Sequence, residues 1–195
     1  MKYEEKKFNI GKLEGVSEKT VSEHLKLYAG YVKHVNLILE KAYDLVDNPE
    51  TEYAGREMQR RFGFEWNGMR NHEIYFSLLK NGQRDLTEDG ELKKAIEKRW
   101  GTFETWLVNF KKLAGTRGPG WVMLCQDAES GELLNIWAEE QHIGLLNGVK
   151  TVLVLDMWEH AFLSDYATAD KMKYVEAFFA NLNWSVAEKL FANAK

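Results

Sequence analysis

The apolar run Val152-Leu153-Val154-Leu155 passes directly into Asp156-Met157-Trp158-Glu159-His160. A short, unbroken apolar stretch of this kind reads as a buried strand. The carboxylate at its end would then emerge from the core where the chain turns. Asp156 and His160, four residues apart, offer a hard oxygen and a borderline nitrogen, donors that manganese and iron accept. His24 and His72 stand far upstream in helical context, and no thiolate accompanies them. Two or three histidines with one aspartate point to a redox-active non-haem metal rather than to structural zinc.

Residues 1 to about 16 read as an extended arm ending at Gly15. Ser17 is an N-cap with Glu18 in the first turn, opening a long helix to about residue 46. On it Val21, His24, Leu25, Tyr28, Tyr31, Val32 and Val35 recur at three- and four-residue steps and form one face. Asp47-Asn48-Pro49 breaks it, and a second long helix follows over about 51–79, ended by Asn81-Gly82. The polar run 82–90 marks a boundary between residues 1–84 and 85–195. Helical patterning resumes over 92–100 and 103–113, strands over 121–126, 133–138 and 151–155, and helices over 171–180 and after Trp184. The expected fold is α+β, an N-terminal long α-hairpin followed by a C-terminal domain of helices around a small three-stranded antiparallel sheet.

A formal charge of −4 argues against a nucleic-acid partner, which normally meets a basic face. The single cysteine, Cys125, excludes an intrachain disulfide and suits a reducing compartment. The first residues are charged with no apolar stretch of a secretory signal, and nothing approaches the roughly 20 apolar residues of a membrane span. These features predict a cytoplasmic protein that engages neither nucleic acid nor membrane.

The pentad and its context, Asp-x-Trp-Glu-His-Ala-Phe at 156–162, resemble the signature of the iron/manganese superoxide dismutase family. Asn71-His72 is similar to that family's Asn-His on the second long helix, and 17–36 to its first helix around a ligand histidine. Gly118-Pro119-Gly120-Trp121 resembles its Gly-x-Gly-Trp strand start, and Asn183-Trp184 its closing Asn-Trp. Five landmarks in order span nearly the whole chain.

The resemblance implies one manganese or iron ion per subunit, held by His24, His72, Asp156 and His160. It implies disproportionation of superoxide as the metal cycles between its M(III) and M(II) states, with Trp121 and Trp158 walling the cavity. Trp66 and Trp137 read as core. Gln141, fifteen residues before Asp156, takes the outer-sphere position that reaches the metal-bound solvent. His142 is the alternative in the opposite register. Gly68, four residues before His72, occupies the family's other glutamine-bearing position; glycine there with Gln141 on the later loop leans towards manganese. His34, about 80° off the His24 face, reads as a surface histidine.

The first helix departs from the family pattern. Many members place a second histidine four residues after the ligand and a tyrosine four beyond that. Here Tyr28 stands near the second histidine's place, and Tyr31 follows seven residues after His24. Seven residues are nearly two regular turns, so Tyr31 is the expected gateway tyrosine without a helix bulge, and Tyr28 an outer residue. Glu159 is expected to reach ligand His160 of the other subunit in a homodimer, with Tyr166 near that interface. Lys26, Lys33 and Arg70 are candidates for guiding the anion. Two other readings remain at this level: a non-haem iron oxygenase with two histidines and one carboxylate, and a metal-binding protein without turnover.

Overall fold

The computed structural model describes residues 2–193. Helix α1 (Glu18–Asp47) begins at Ser17, whose hydroxyl accepts the Thr20 N–H at 3.2 Å. This satisfies one of the donors that a helix start leaves unpaired. A tight turn, in which Thr51 Oγ1 donates to the Leu45 carbonyl at 2.9 Å, leads into α2 (Glu52–Leu79). Asn81 and Gly82, with φ of 62° and 80°, end that helix in the left-handed region. The long helical hairpin thus stands as expected.

The remaining elements are α3 (Glu91–Trp100), α4 (Phe103–Ala114), β1 (Gly120–Asp127), β2 (Leu133–Glu139), β3 (Val149–Asp156), α5 (Lys171–Asn181) and α6 (Trp184–Ala192). Short 3₁₀ turns at Glu159–Ala161 and Thr168–Asp170 were not legible as elements in the sequence. The sheet is antiparallel in the order β2-β1-β3. Its middle strand β1 is buried along nearly its whole length, and β3 is buried from Val152 to Asp156.

The register of that sheet begins to build the site. Trp121 on β1 pairs with Asp156 on β3. Residues directly opposite in a ladder present their side chains on one face, so the indole and the carboxylate enter the core side by side. Tyr28, Val32, Met69 and Phe76 of the hairpin join Trp106, Val122 and Val154 in one apolar cluster.

The extended arm is tied to the hairpin, and the closing Asn183-Trp184 ties the C-terminal part to it. Lys6 N–H donates to Tyr28 Oη at 2.9 Å, and Asn81 N–H to the Asn9 carbonyl at 2.9 Å. Asn183 donates from its backbone to the Leu78 carbonyl at 2.8 Å and from its amide to that of Lys80 at 2.9 Å.

Candidate metal centre

Four side chains from three separate parts of the fold converge between the hairpin and the sheet. His24 comes from α1, His72 from α2, and Asp156 and His160 from the end of β3 and the 3₁₀ turn after it. One potential ligand atom from each lies within 4.8 Å of all the others. His24 Nε2 is 3.0 Å and His160 Nε2 3.2 Å from the same Asp156 oxygen, Oδ2, and His72 Nε2 is 3.6 Å from it. The other carboxylate oxygen, Oδ1, accepts the Trp158 backbone N–H at 2.8 Å. All three imidazoles face one oxygen, whereas a two-histidine oxygenase site would leave one aside.

His72 carries the most telling detail. Its Nδ1–H donates to the Gly68 carbonyl one turn earlier, at 2.6 Å. That bond fixes the tautomer and turns the Nε2 lone pair into the cluster. Nε2 is fully buried and has no hydrogen-bond partner. Leaving such an atom unpaired costs about 1–3 kcal/mol, a cost that a bound cation would remove. The donor set of three nitrogens and one carboxylate oxygen suits manganese or iron.

Electrostatics prepare the same set. Burial pushes His24 down and His72 down to about 3, so both are neutral donors at pH 7. Burial alone would raise Asp156, but His160 and His24 outweigh it and hold the carboxyl well below its ordinary range. Burial likewise opposes a charge on His160, yet Asp156 holds that imidazole above its usual value.

Aromatic rings pack the cluster on several sides. Trp121 meets His72 edge-on with centroids 5.0 Å apart, and Trp158 stacks on His160 at 5.7 Å. Phe76 and Tyr75 sit 4.9 and 5.1 Å from the His24 ring. These two were missed in the sequence, although their places three and four residues after His72 put them on the same helix face.

Gln141 and Tyr31 form the next layer. Gln141 Oε1 accepts the Trp121 indole N–H at 2.9 Å, and its Nε2 donates to Tyr31 Oη at 2.9 Å. The loop that presents Gln141 turns on Glu140, a non-glycine residue with φ of 50°. Asn71 Nδ2 holds the Gln141 carbonyl at 3.2 Å, and the Glu140 carbonyl accepts the Trp158 indole N–H at 3.0 Å. Helix α1 is regular α-helix throughout, and it brings the Tyr31 ring to 5.1 Å from His72. Burial, with Asp156 and Glu65 adding to it, pushes the Tyr31 phenol up, so it keeps its proton at neutral pH.

Other expected residues fall elsewhere. The Tyr28 hydroxyl faces the N-terminal arm, accepting from Lys6 and donating to Glu73 Oε1 at 3.3 Å; its ring meets the site through Phe76. His34 is half exposed, 3.4 Å from Glu65. The His142 ring lies against Phe64 and Gly63. Lys26 pairs with Glu23 in solvent, and Arg70 pairs with Glu73 beneath Trp66. The cation at the site's aromatic margin is Arg61, whose guanidinium lies 3.3 Å from the Phe64 ring centroid and acts electrostatically on Tyr31. Phe64 in turn touches Tyr31 and Trp158. The sequence signal for Arg61 was its i,i+3 and i,i+4 spacing to Phe64 and Glu65. Glu159 is exposed, with no ion pair among the described residues, and Tyr166 Oη donates to the Gly15 carbonyl at 2.5 Å.

Residues 88–190 match the C-terminal domain of the iron/manganese superoxide dismutases. Over 188 residues the chain is 37% identical to a protein of Cupriavidus metallidurans named an iron superoxide dismutase, covering 94% of this chain and 92% of that one. The chain belongs to the iron/manganese superoxide dismutase family. Other members are similar over comparable lengths. An iron superoxide dismutase of Aquifex aeolicus is 33% identical over 190 residues, 93% of this chain and 87% of that protein. A manganese superoxide dismutase of Mycolicibacterium smegmatis is 33% identical over 191 residues, 96% and 90% of the two chains. The protein is thus an oxidoreductase of the superoxide dismutase type, with relatives named for either metal.

Proposed function

We propose that the enzyme disproportionates superoxide at one manganese or iron ion held by His24, His72, Asp156 and His160. The observation that carries this ligand set is the buried, unpartnered His72 Nε2, directed at an Asp156 oxygen that two further imidazoles already face. The chemistry such an ion supplies is alternate one-electron oxidation and reduction, by which two superoxide anions and two protons become dioxygen and hydrogen peroxide. Because the four ligands come from both 1–84 and 85–195, metal affinity also joins these two halves as folding free energy.

The chain's own residues supply positioning and protons. Tyr31 holds a proton at Oη, and the Gln141 amide fixes that oxygen in place. With its phenol pushed up, Tyr31 releases the proton only to a strongly basic product oxygen and regains it from solvent. The Trp121 indole N–H in turn donates to Gln141 Oε1, so the side-chain amide is held at both its oxygen and its nitrogen. Arg61, beside Phe64 and 3.6 Å from Glu65, is the cation we assign to drawing a small anion inward.

The reading extends to metal, assembly and location. Manganese is favoured on the resemblance alone, since glycine at position 68 with Gln141 on the later loop resembles the manganese-preferring members of the family. Glu159, exposed and without an ion pair among the described residues, is the residue we assign to meeting His160 of a second copy in a homodimer. There its carboxylate would orient the ligand ring, and Glu159→Ala would lower the dimer fraction seen by light scattering. The unpaired Cys125 and the net negative charge support a cytoplasmic enzyme without a nucleic-acid partner. Among the described residues no helix is long and apolar enough to cross a membrane.

The deciding experiment loads one apoprotein separately with manganese and with iron, counts the bound metal and measures superoxide dismutation. One ion per chain with activity greater for manganese is expected. Full metal occupancy with no dismutation in either preparation would overturn the reading.

A further inference from the structure

We propose that Asp165, with Tyr166 beside it, is a positioning residue for the metal centre: it clamps the first turn of the helix carrying His24 to the segment that follows His160. Asp165 Oδ2 accepts the Ser17 backbone N–H at 2.9 Å and the Thr20 hydroxyl at 2.7 Å. Thr20 lies one helical turn before His24 on the same face. The next residue adds a third bond, since Tyr166 Oη donates to the Gly15 carbonyl at 2.5 Å.

The clamp is specific on both sides. Gly15 has φ of +72°, and a Cβ there would lie 2.6 Å from Tyr166 Oη and 2.9 Å from Ala177 Cβ. Only glycine admits the tyrosine this closely without strain. On the other side, the backbone N–H groups of Asp165 and Tyr166 both donate to the Phe162 carbonyl, at 2.9 and 2.8 Å. The turn from His160 to the clamp is therefore short and internally bonded. A carboxylate at a helix N-terminus is also favoured by the helix dipole. Burial pushes the Asp165 carboxyl up, but the bonds from Thr20 and Ser17 outweigh it and hold the group below its ordinary range.

The consequence reaches the ligands because the connections are stiff. Helix α1 is regular between Thr20 and His24, and His160 lies five residues before Asp165. His24 and His160 address the same Asp156 oxygen with ring centroids 4.9 Å apart. Releasing the clamp lets the start of α1 move relative to the 3₁₀ turn that carries His160, and so widens or twists that pair. Partners of this outer kind commonly change metal affinity about 10–100-fold when removed. The inference rests on the ligand set proposed above.

The test compares Asp165→Ala, Asp165→Asn and Thr102→Ala in manganese-loaded protein, reading metal release to a chelator and the visible absorption of the oxidised metal. Thr102 caps the distant helix α4 by accepting the Thr105 N–H at 3.1 Å, and it controls for simple loss of a helix cap. Asp165→Ala should release metal roughly 10-fold faster and shift the absorption band. Asparagine keeps an acceptor oxygen and should restore both, while Thr102→Ala should lower the melting temperature and change neither. Release and spectrum unchanged in Asp165→Ala, or changed equally in Thr102→Ala, would overturn the positioning role. His72→Ala separates the two levels: if it keeps the wild-type metal and spectrum, the ligand set itself is wrong.

Discussion

Gly68 lies so close beneath the Tyr31 ring that a Cβ built on it would sit 2.4 Å from Tyr31 Cδ1 and 2.5 Å from Cε1. The same residue's carbonyl accepts the His72 Nδ1–H. One position on α2 therefore seats the Tyr31 phenol and aims the His72 imidazole into the cluster. Helix propensity alone would favour alanine here by about 1 kcal/mol. The clash should reverse that sign, because forcing an extra carbon into a packed site costs about 1–3 kcal/mol. Gly68→Ala is expected to lower stability in chemical denaturation and to slow dismutation on the order of 10-fold as Tyr31 is displaced. Wild-type activity in a fully metal-loaded variant would mean that the ring position is unimportant.

Gln141 hydrogen-bonds Trp121 on one side and Tyr31 on the other. Gln141→Leu keeps much of the volume but leaves the buried indole N–H without its acceptor and frees the phenol. A loss of about 1–3 kcal/mol in unfolding free energy is expected, together with a shifted redox potential of the bound metal. A potential equal to wild type would remove Gln141 from the tuning role.

Acid should strip the metal before it unfolds the sheet. The pKa of His72 is depressed from 6.5 to about 3 by burial, and that of His24 is depressed in the same direction. The His72 contribution is complete above pH 6.5 and declines as pH falls towards 3, where the folded state must also accept the proton, and His24 acts in the same direction. His160, raised by Asp156 against burial, contributes in the opposite sense, and its share is lost as pH rises through its elevated value. Metal ligands must be deprotonated, so with His72 neutral down to about pH 3 the bound metal measured after dialysis should be retained well below pH 6.5 and lost most steeply as the pH approaches 3. Complete loss already near the ordinary imidazole pKa of about 6.5 would contradict the depressed imidazoles.

Tyr28 gives a contrasting prediction. Its hydroxyl ties the arm at Lys6 to Glu73 and does not face the cluster. Tyr28→Phe should cost about 1 kcal/mol of stability and leave dismutation within roughly twofold of wild type. A tenfold fall in rate at full metal loading would give Tyr28 a part in the proton path instead.

The fold was legible where local rules are strong. Ser17, Asn48-Pro49 and Asn81-Gly82 punctuate the two long helices, and the four-residue apolar run before Asp156 could only be a buried strand in so small a sheet. The ligand candidates were legible because the pentad, His24 and His72 stand in recognisable surroundings. What escaped was the endpoint of long side chains. Periodicity put Tyr28 on the His24 face, but spacing does not fix where a long side chain ends, and its phenol reaches Lys6 and Glu73. Arg61 escaped for the same reason: its guanidinium reaches over Phe64, one turn along, while the lysines on α1 that looked equally suited end in solvent. The 3₁₀ turn at 159–161 has no period of its own and is fixed by the Asp156 and Trp158 contacts around it.

The most direct test of the central claim is anomalous diffraction at the manganese edge from crystals of the active, manganese-loaded enzyme. A single peak per chain, within bonding distance of His24 Nε2, His72 Nε2, His160 Nε2 and Asp156 Oδ2, is the predicted result. A fully occupied peak anywhere else, away from these four side chains, would contradict it.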